Sequence, residues 1–81
     1  MNKVLIVLLS STSAFSMKTM LETRYKIHSR IIQAPAKLAY LGCTYCIELD
    51  ASDMKTAVNL LRVSGVSSKG IYNADTYEKI L

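Results

Sequence analysis

The stretch Val4-Leu5-Ile6-Val7-Leu8-Leu9 is an unbroken run of β-branched and leucine residues near the start of the chain. Such a run is typical of a strand in the centre of a sheet. It leads into Ser10-Ser11-Thr12-Ser13, whose hydroxyl oxygens suit the N-cap of a helix. Three apolar residues then recur at helical spacing: Ala14, Met17 and Leu21. We therefore expect a strand over 4–9 and a helix from about Thr12 to Arg24.

The middle of the chain predicts two further strands joined by a loop. Residues from Ile27 to Ile32 alternate with period two, which indicates a second strand that ends before Pro35. Residues 34–42 read as a loop, with Leu38, Tyr40 and Leu41 apolar enough to fold back onto the protein. The third strand is predicted over 44–49.

The last third of the chain predicts a second helix and a fourth strand. Asp50 and Ser52 are candidate N-caps, and the helix face consists of Met54, Ala57, Val58 and Leu61. Gly65 suits the position just after the helix, in the left-handed conformation. A strand over 66–72 follows, interrupted at Gly70. Asp75 is predicted to cap a final helical turn that carries Tyr77, Ile80 and Leu81.

The resulting order is β-α-β-β-α-β, which at this length predicts an α+β ferredoxin-like sandwich. We expect one domain over 1–81 with a short tail at 74–81, a four-stranded antiparallel sheet, and both helices on one face. In the third strand, three apolar side chains should face the helices: Tyr45, Ile47 and Leu49. Thr44, Cys46 and Glu48 should then point to an open face suited to binding or dimerisation.

Composition narrows the possible partners. The chain has 81 residues and a formal net charge of +4, and about half of it is hydrophobic. Its basic residues are too sparse to favour nucleic-acid binding. A run without acids carries four of them: Arg24, Lys26, Arg30 and Lys37. They are read either as solvated surface charge or as a local positive field that would favour a thiolate or a small anionic ligand.

The N-terminus imitates a secretory signal peptide. However, its apolar run is six residues long and no good cleavage site follows it. A buried strand explains the same residues, so we expect a cytoplasmic protein. No apolar stretch in the sequence is long enough to span a bilayer, and no membrane association is predicted.

Cys43 and Cys46 are the residues best suited to chemistry. A zinc site normally needs four ligands, and His28 is the one other soft donor, so no metal is predicted. Cys43, on the loop after Gly42 and near Lys37, is the better nucleophile, while Cys46 falls in a strand. The alternative is that both are inert thiols in a reducing compartment.

Other catalytic motifs are lacking in the sequence. One histidine cannot complete a Ser-His-Asp group without a nucleophile elbow, and three isolated glycines make no phosphate loop. Hydrolase, kinase and dinucleotide-dependent oxidoreductase activities are therefore disfavoured, and no cofactor is predicted.

Four stretches of the sequence form a pattern: Pro35 through Gly42-Cys43 to Leu49, Asp53 to Leu61, Ser64-Gly65-Val66 and Gly70-Ile71-Tyr72. Together they resemble a family of small bacterial proteins described as selenium/sulfur carrier-like, otherwise a domain of unknown function. The resemblance implies a ferredoxin-like fold and a carrier cysteine at Cys43. Thr44 stands where the family usually has glycine, and Cys46 where it usually has a small apolar residue.

Three functional hypotheses follow. In the first, Cys43 carries a persulfide or selenosulfide from a donor protein to an acceptor protein, within a loop that includes Gly42, Thr44 and Lys37. In the second, the chain is a binding or dimerisation module that uses an open face bearing His28, Arg30, Cys46 and Glu48. In the third, it is a redox sensor in which Cys46 resolves an oxidised Cys43. A homodimer is compatible with each of them.

Overall fold

A computed structural model describes residues 2–8, 10–41, 45–66 and 68–80. Within these ranges the elements follow the predicted β-α-β-β-α-β order. The strands are β1 (Lys3–Leu8), β2 (Arg30–Gln33), β3 (Tyr45–Asp50) and β4 (Ser68–Asn73). The α-helices are α1 (Ser11–Arg24) and α2 (Met54–Ser64). Two 3₁₀ helices, Ala36–Leu41 and Ala51–Asp53, precede β3 and α2.

The sheet has the strand order β2-β3-β1-β4, and every neighbouring pair is antiparallel. This arrangement confirms the ferredoxin-like fold. The apolar run at the start of the chain forms β1, between β3 and β4. At one end of the sheet, Tyr45 pairs with both Leu8 and Gln33, and Leu8 also pairs with Ser68. These residues form one row across the sheet.

The helices pack on one face of the sheet, as predicted. Ala14, Met17 and Leu21 of α1 are fully buried against β1 and β3 residues such as Ile6 and Ile47. The N-cap of α1 is Ser10, whose side-chain oxygen accepts a hydrogen bond from the Ser13 backbone N–H at 3.2 Å. Helical spacing thus identified the buried face of α1 correctly.

β2 begins later than the alternating pattern suggested. The Leu21 carbonyl accepts hydrogen bonds from the N–H groups of Tyr25 and Ile27, at 3.2 and 3.0 Å. Between them, Lys26 adopts φ 55 in the left-handed region. Ile27 therefore lies in the turn that closes α1 and not in the strand, and its side chain is buried.

The sheet face opposite the helices is covered over part of its area, so the prediction of a wholly open face is wrong. The predicted loop over 34–42 contains the 3₁₀ helix Ala36–Leu41, and Leu38 from it is 1% exposed. Leu38 joins a second apolar cluster on this face, with Leu5, Val7, Cys46 and Tyr72. Because those strand residues are apolar, burying them under Leu38 removes them from water.

The start of α2 also differs from the prediction. The 3₁₀ helix Ala51–Asp53 precedes it, and Asp50 forms no side-chain capping bond but an ion pair with Lys3 at 2.9 Å. The end is as predicted, since Gly65 adopts φ 73. Of the predicted α2 face, Ala57 is buried, whereas Met54, Val58 and Leu61 are partly buried and pack against the core.

β4 contains the predicted interruption. Val7 pairs with Gly70 but Leu8 pairs with Ser68, so Lys69 is an extra residue in the ladder, and Gly70 has φ 124. This is a β-bulge, which bends an edge strand and re-aims its side chains.

The tail is not helical, which corrects the prediction for Asp75. The Asn73 side-chain oxygen accepts hydrogen bonds from the N–H groups of Asp75 and Thr76, at 2.7 and 3.1 Å, and the chain reverses. It returns antiparallel to β4, where Tyr72 bridges to Lys79 and the Ile80 N–H donates to the Ile71 carbonyl at 2.7 Å. The Asn73 side chain thus closes the turn, and the bonds between the tail and β4 continue from it.

Candidate functional site

The segment with the candidate thiol joins the 3₁₀ helix Ala36–Leu41 to β3. Its three predicted site residues, Gly42, Cys43 and Thr44, lie outside the described residues. The residues on both sides are described: Leu41 ends the 3₁₀ helix, and Tyr45 begins β3.

These flanks lie at a definite end of the molecule. Tyr45 stands in the row that crosses the sheet at the ends of β1 and β2 and the start of β4. α1 begins three residues after Leu8, so its N-terminal turn lies at this end, and α2 finishes here at Ser64. Free backbone N–H groups at a helix N-terminus favour negative charge nearby.

Lys37 lies in the 3₁₀ helix before the candidate thiol, and its side chain is exposed. Its ammonium nitrogen is 5.9 Å from the centre of the Tyr77 ring, within range of a cation–π interaction. Tyr77 comes from the tail, so this contact joins the segment before Cys43 to the C-terminal part of the chain.

The other basic residues of the acid-free run do not converge on this end. Arg30, at the start of β2, forms an ion pair with Glu48 at 3.0 Å. Arg24 and Lys26 stand at the C-terminal end of α1, one helix length away from its N-terminus. Of the four basic residues in the run, Lys37 is therefore the one that lies beside the segment with the candidate thiol.

Cys46 lies on the face opposite the helices, as predicted, but it is not accessible. Its side chain is 0% exposed within the second apolar cluster. In the ladder it stands between Val7 of β1 and Ile32 of β2, and Leu38 belongs to the same cluster. Cys46 is thus a core residue in this conformation, and the strand alternation that placed it on this face could not show the covering leucine.

The burial of Cys46 removes it from the predicted binding face. His28 and Arg30 are exposed and Glu48 is partly exposed, whereas Cys46 is buried apart from them. Lys3, His28, Ser29, Arg30 and Glu48 line a cavity of about 310 Å³ on the polar part of the sheet. The described residues contain no group of three or more histidine, cysteine, aspartate or glutamate side chains placed to hold a metal ion.

Two residues shape this region: Leu38, which the sequence predicted to fold back but did not place, and Tyr77, whose contact the sequence did not predict. Tyr77 is partly buried against the second cluster and adopts φ 61. The available signal was the apolar character of Leu38 within the predicted loop, which indicated that the loop folds back but not where Leu38 packs.

The fold and the position of the thiol-bearing segment define a small ferredoxin-like α+β protein with a cysteine before its third strand. The chain belongs to the family described as "Putative Se/S carrier protein-like", which it matches over residues 3–73. No curated protein and no solved structure matches it. Across the described ranges, neither helix has the length and apolar character needed to cross a membrane.

Proposed function

We propose that this protein carries sulfur or selenium on Cys43, as a persulfide or a selenosulfide, from a donor protein to an acceptor protein. The observation that carries the proposal is membership of the selenium/sulfur carrier-like family over residues 3–73, a range that includes Cys43. Cys43 is also the cysteine that is not in a predicted strand, whereas the side chain of Cys46 is buried.

The proposed chemistry is two thiol exchanges without net oxidation. The Cys43 thiolate attacks the outer sulfur of a persulfide on the donor, a new S–S bond forms, and the donor cysteine leaves as a thiolate. The proton stays on the transferred sulfur. An acceptor nucleophile then attacks that outer sulfur, and the Cys43 thiolate leaves. A selenium atom in the outer position follows the same steps.

The surroundings of the segment support this chemistry. The N-terminal turn of α1 lies at the same sheet end as Tyr45, two residues after Cys43, and its free N–H groups favour a thiolate. Gly42 and Thr44 would flank the thiol, and Lys37 would contribute positive charge from the 3₁₀ helix that precedes it. The exchange needs no cofactor, and a reducing compartment such as the cytoplasm keeps the thiol available.

The alternative role of Cys46, as a thiol that resolves an oxidised Cys43, is less favoured. The side chain of Cys46 is buried within the cluster that includes Leu38, so a disulfide with Cys43 would require the sulfur to leave that cluster. The carrier hypothesis needs no such movement, which is why we prefer it to the sensor hypothesis.

Loading with a small persulfide tests the proposal. The protein is incubated with glutathione persulfide, and intact mass spectrometry records the addition of one sulfur atom. We expect addition to wild type and to Cys46→Ser but not to Cys43→Ser. Loss of loading in Cys46→Ser with retention in Cys43→Ser would overturn the assignment. Reversible oxidation that needs both cysteines, without a stable persulfide, would favour the sensor, and a protein that never loads would be a binding module.

A further inference from the structure

A cavity between α2 and the edge strand β4 has the character of a peptide-binding groove. Its volume is about 480 Å³, and it is lined by Val58 and Leu61 of α2, by Ser68–Ile71 of β4, and by Lys79 of the tail. The cavity therefore combines an apolar floor with two lysines and a stretch of strand edge.

The two lysines leave positive charge at the groove uncompensated. Lys69 and Lys79 are both exposed, and neither forms an ion pair with any carboxylate among the described residues. Lys3, Lys18 and Arg30 are each paired with an acid, whereas Lys69 and Lys79 line one cavity together without such a pair among the described residues. A ligand that fits the groove should therefore bring negative charge.

The returning tail covers part of the outer edge of β4. It pairs with β4 from Ile71 to Asn73, through the bonds to Glu78 and Ile80. Ahead of this stretch, Ser68 and Lys69 are exposed, and the bulge at Lys69 bends the strand. A bulge and a lysine on an edge strand oppose the addition of a further strand. The groove should therefore bind a segment mainly through side chains.

The groove lies at the same end of the sheet as the flank of the candidate thiol. Ser68 pairs with Leu8, and Leu8 pairs with Tyr45, so Ser68 and Tyr45 stand in one row with β1 between them. At ordinary strand spacing their backbones are about 10 Å apart. A protein segment in the groove would bring its parent protein close to the segment with Cys43.

We propose that this groove docks an extended acidic segment of a partner protein that exchanges sulfur or selenium with Cys43. Carboxylates of the segment meet Lys69 and Lys79, and apolar side chains rest on the partly buried Val58 and Leu61. The link to sulfur exchange rests on the proposed function, whereas the acidic-peptide groove itself does not.

A peptide-binding experiment tests the groove. The probe is a short fluorescent peptide of alternating glutamate and leucine, and its binding to the full chain is followed by anisotropy. We expect Lys69→Glu combined with Lys79→Glu to weaken binding at least tenfold. Lys55→Glu, which reverses an exposed lysine on α2 outside the cavity, should leave binding unchanged within about twofold. Raising salt from about 0.1 M to about 1 M should also weaken binding, because it shortens the Debye length from about 10 to about 3 Å.

Three binding results would overturn the proposed groove: the wild-type protein fails to bind the peptide, it binds a lysine–leucine peptide equally well, or Lys55→Glu weakens binding as much as the double reversal does. Backbone NMR shifts centred on the Arg30 and Glu48 face in place of Ser68–Ile71 would also overturn it. The neutral pair Lys69→Gln and Lys79→Gln repeats the test without adding acids, in case the reversed pair folds poorly.

Loading with glutathione persulfide separates this inference from the proposed function. The small donor does not need the groove, so the charge-reversed variant should load Cys43 as wild type does. Peptide binding without loading would contradict the carrier function alone. Loading without peptide binding would contradict the groove alone.

Discussion

The ammonium nitrogen of Lys37 lies 5.9 Å from the centre of the Tyr77 ring and so joins the 3₁₀ helix before Cys43 to the C-terminal tail. The family match ends at residue 73, so the Tyr77 side of this contact lies outside the matched range. Leu38, which follows Lys37 in the sequence, belongs to the second apolar cluster, and Tyr77 packs against the same cluster. The segment that leads to the candidate thiol is thus held by one polar and one apolar contact.

The cation–π contact between Lys37 and Tyr77 should make a small, measurable contribution to stability. In a double-mutant cycle with Lys37→Met and Tyr77→Leu, we expect a coupling free energy of about 0.5–1 kcal/mol, the usual range for an exposed cation–π pair. Denaturant unfolding of the four proteins measures it. Tyr77→Phe keeps a ring and should retain most of the coupling. Coupling near zero would show that the two side chains do not interact in solution.

The burial of Leu38 should contribute more to the free energy of unfolding than the Lys37–Tyr77 contact does. Leu38 is 1% exposed, so Leu38→Ala removes buried methyl groups and leaves space in the second cluster. We expect a loss of about 2–5 kcal/mol in the free energy of unfolding, measured in urea. Val63→Ala is the control, because Val63 is 69% exposed and its truncation should change stability by less than about 0.5 kcal/mol. Equal effects from the two changes would contradict the covered face.

The burial of Cys46 predicts slow labelling. In the Cys43→Ser background, Cys46 should react with iodoacetamide at least about a hundredfold more slowly in the native protein than in denaturant, since reagent must wait for local opening. Leu38→Ala should speed native labelling, because Leu38 belongs to the cluster that covers the sulfur. Native labelling at the denatured rate would mean that the sheet face is open, as alternation alone had suggested.

The ion pair between Lys18 and Glu22, on the exposed side of α1, predicts that the stability of the protein depends on pH. The hydrogen bond from Lys18 holds the pKa of the Glu22 carboxyl below its ordinary value, and the charges of Lys18 and His28 add to this. A carboxyl with a lowered folded-state pKa stabilises the protein above its unfolded pKa, and that contribution is lost as the pH falls through the folded pKa. Wild type should therefore be more stable than Lys18→Met at neutral pH, with the difference vanishing in acid.

NMR titration of Glu22 in both proteins checks this directly. The pKa of Glu22 should rise in Lys18→Met and stay low in Lys18→Arg, which keeps the charge. A Glu22 pKa that does not respond to Lys18→Met would contradict the assigned cause.

The elements predicted best are those with a strong local signal. The i, i+3, i+7 spacing of Ala14, Met17 and Leu21 reflects the geometry of a helix packed on one side, and all three are buried. Gly65 adopts the left-handed conformation that other residues avoid. The alternation of Tyr45, Ile47 and Leu49 correctly placed them towards the helices.

The failures have a common origin in long-range contacts. Leu38 lies in a stretch without apolar periodicity, so nothing local shows that it covers Cys46. The tail has two residues able to cap a turn, and the choice of Asn73 over Asp75 depends on pairing with β4. For the site, residue chemistry and family resemblance selected Cys43, which lies outside the described residues. The groove at Lys69 could not be predicted from the sequence, because α2, β4 and the tail come together only in the folded protein.

Transfer of sulfur from the loaded protein to an acceptor tests the central claim most directly. Cys43 is loaded with radiolabelled sulfur, excess donor is removed, and the label is followed to an acceptor protein thiol at neutral pH. The account predicts that the label leaves wild type and Cys46→Ser at the same rate and that Cys43 returns as a thiol able to be loaded again. A label that stays on the protein, or whose release requires Cys46, would contradict the assignment of Cys43 as a carrier.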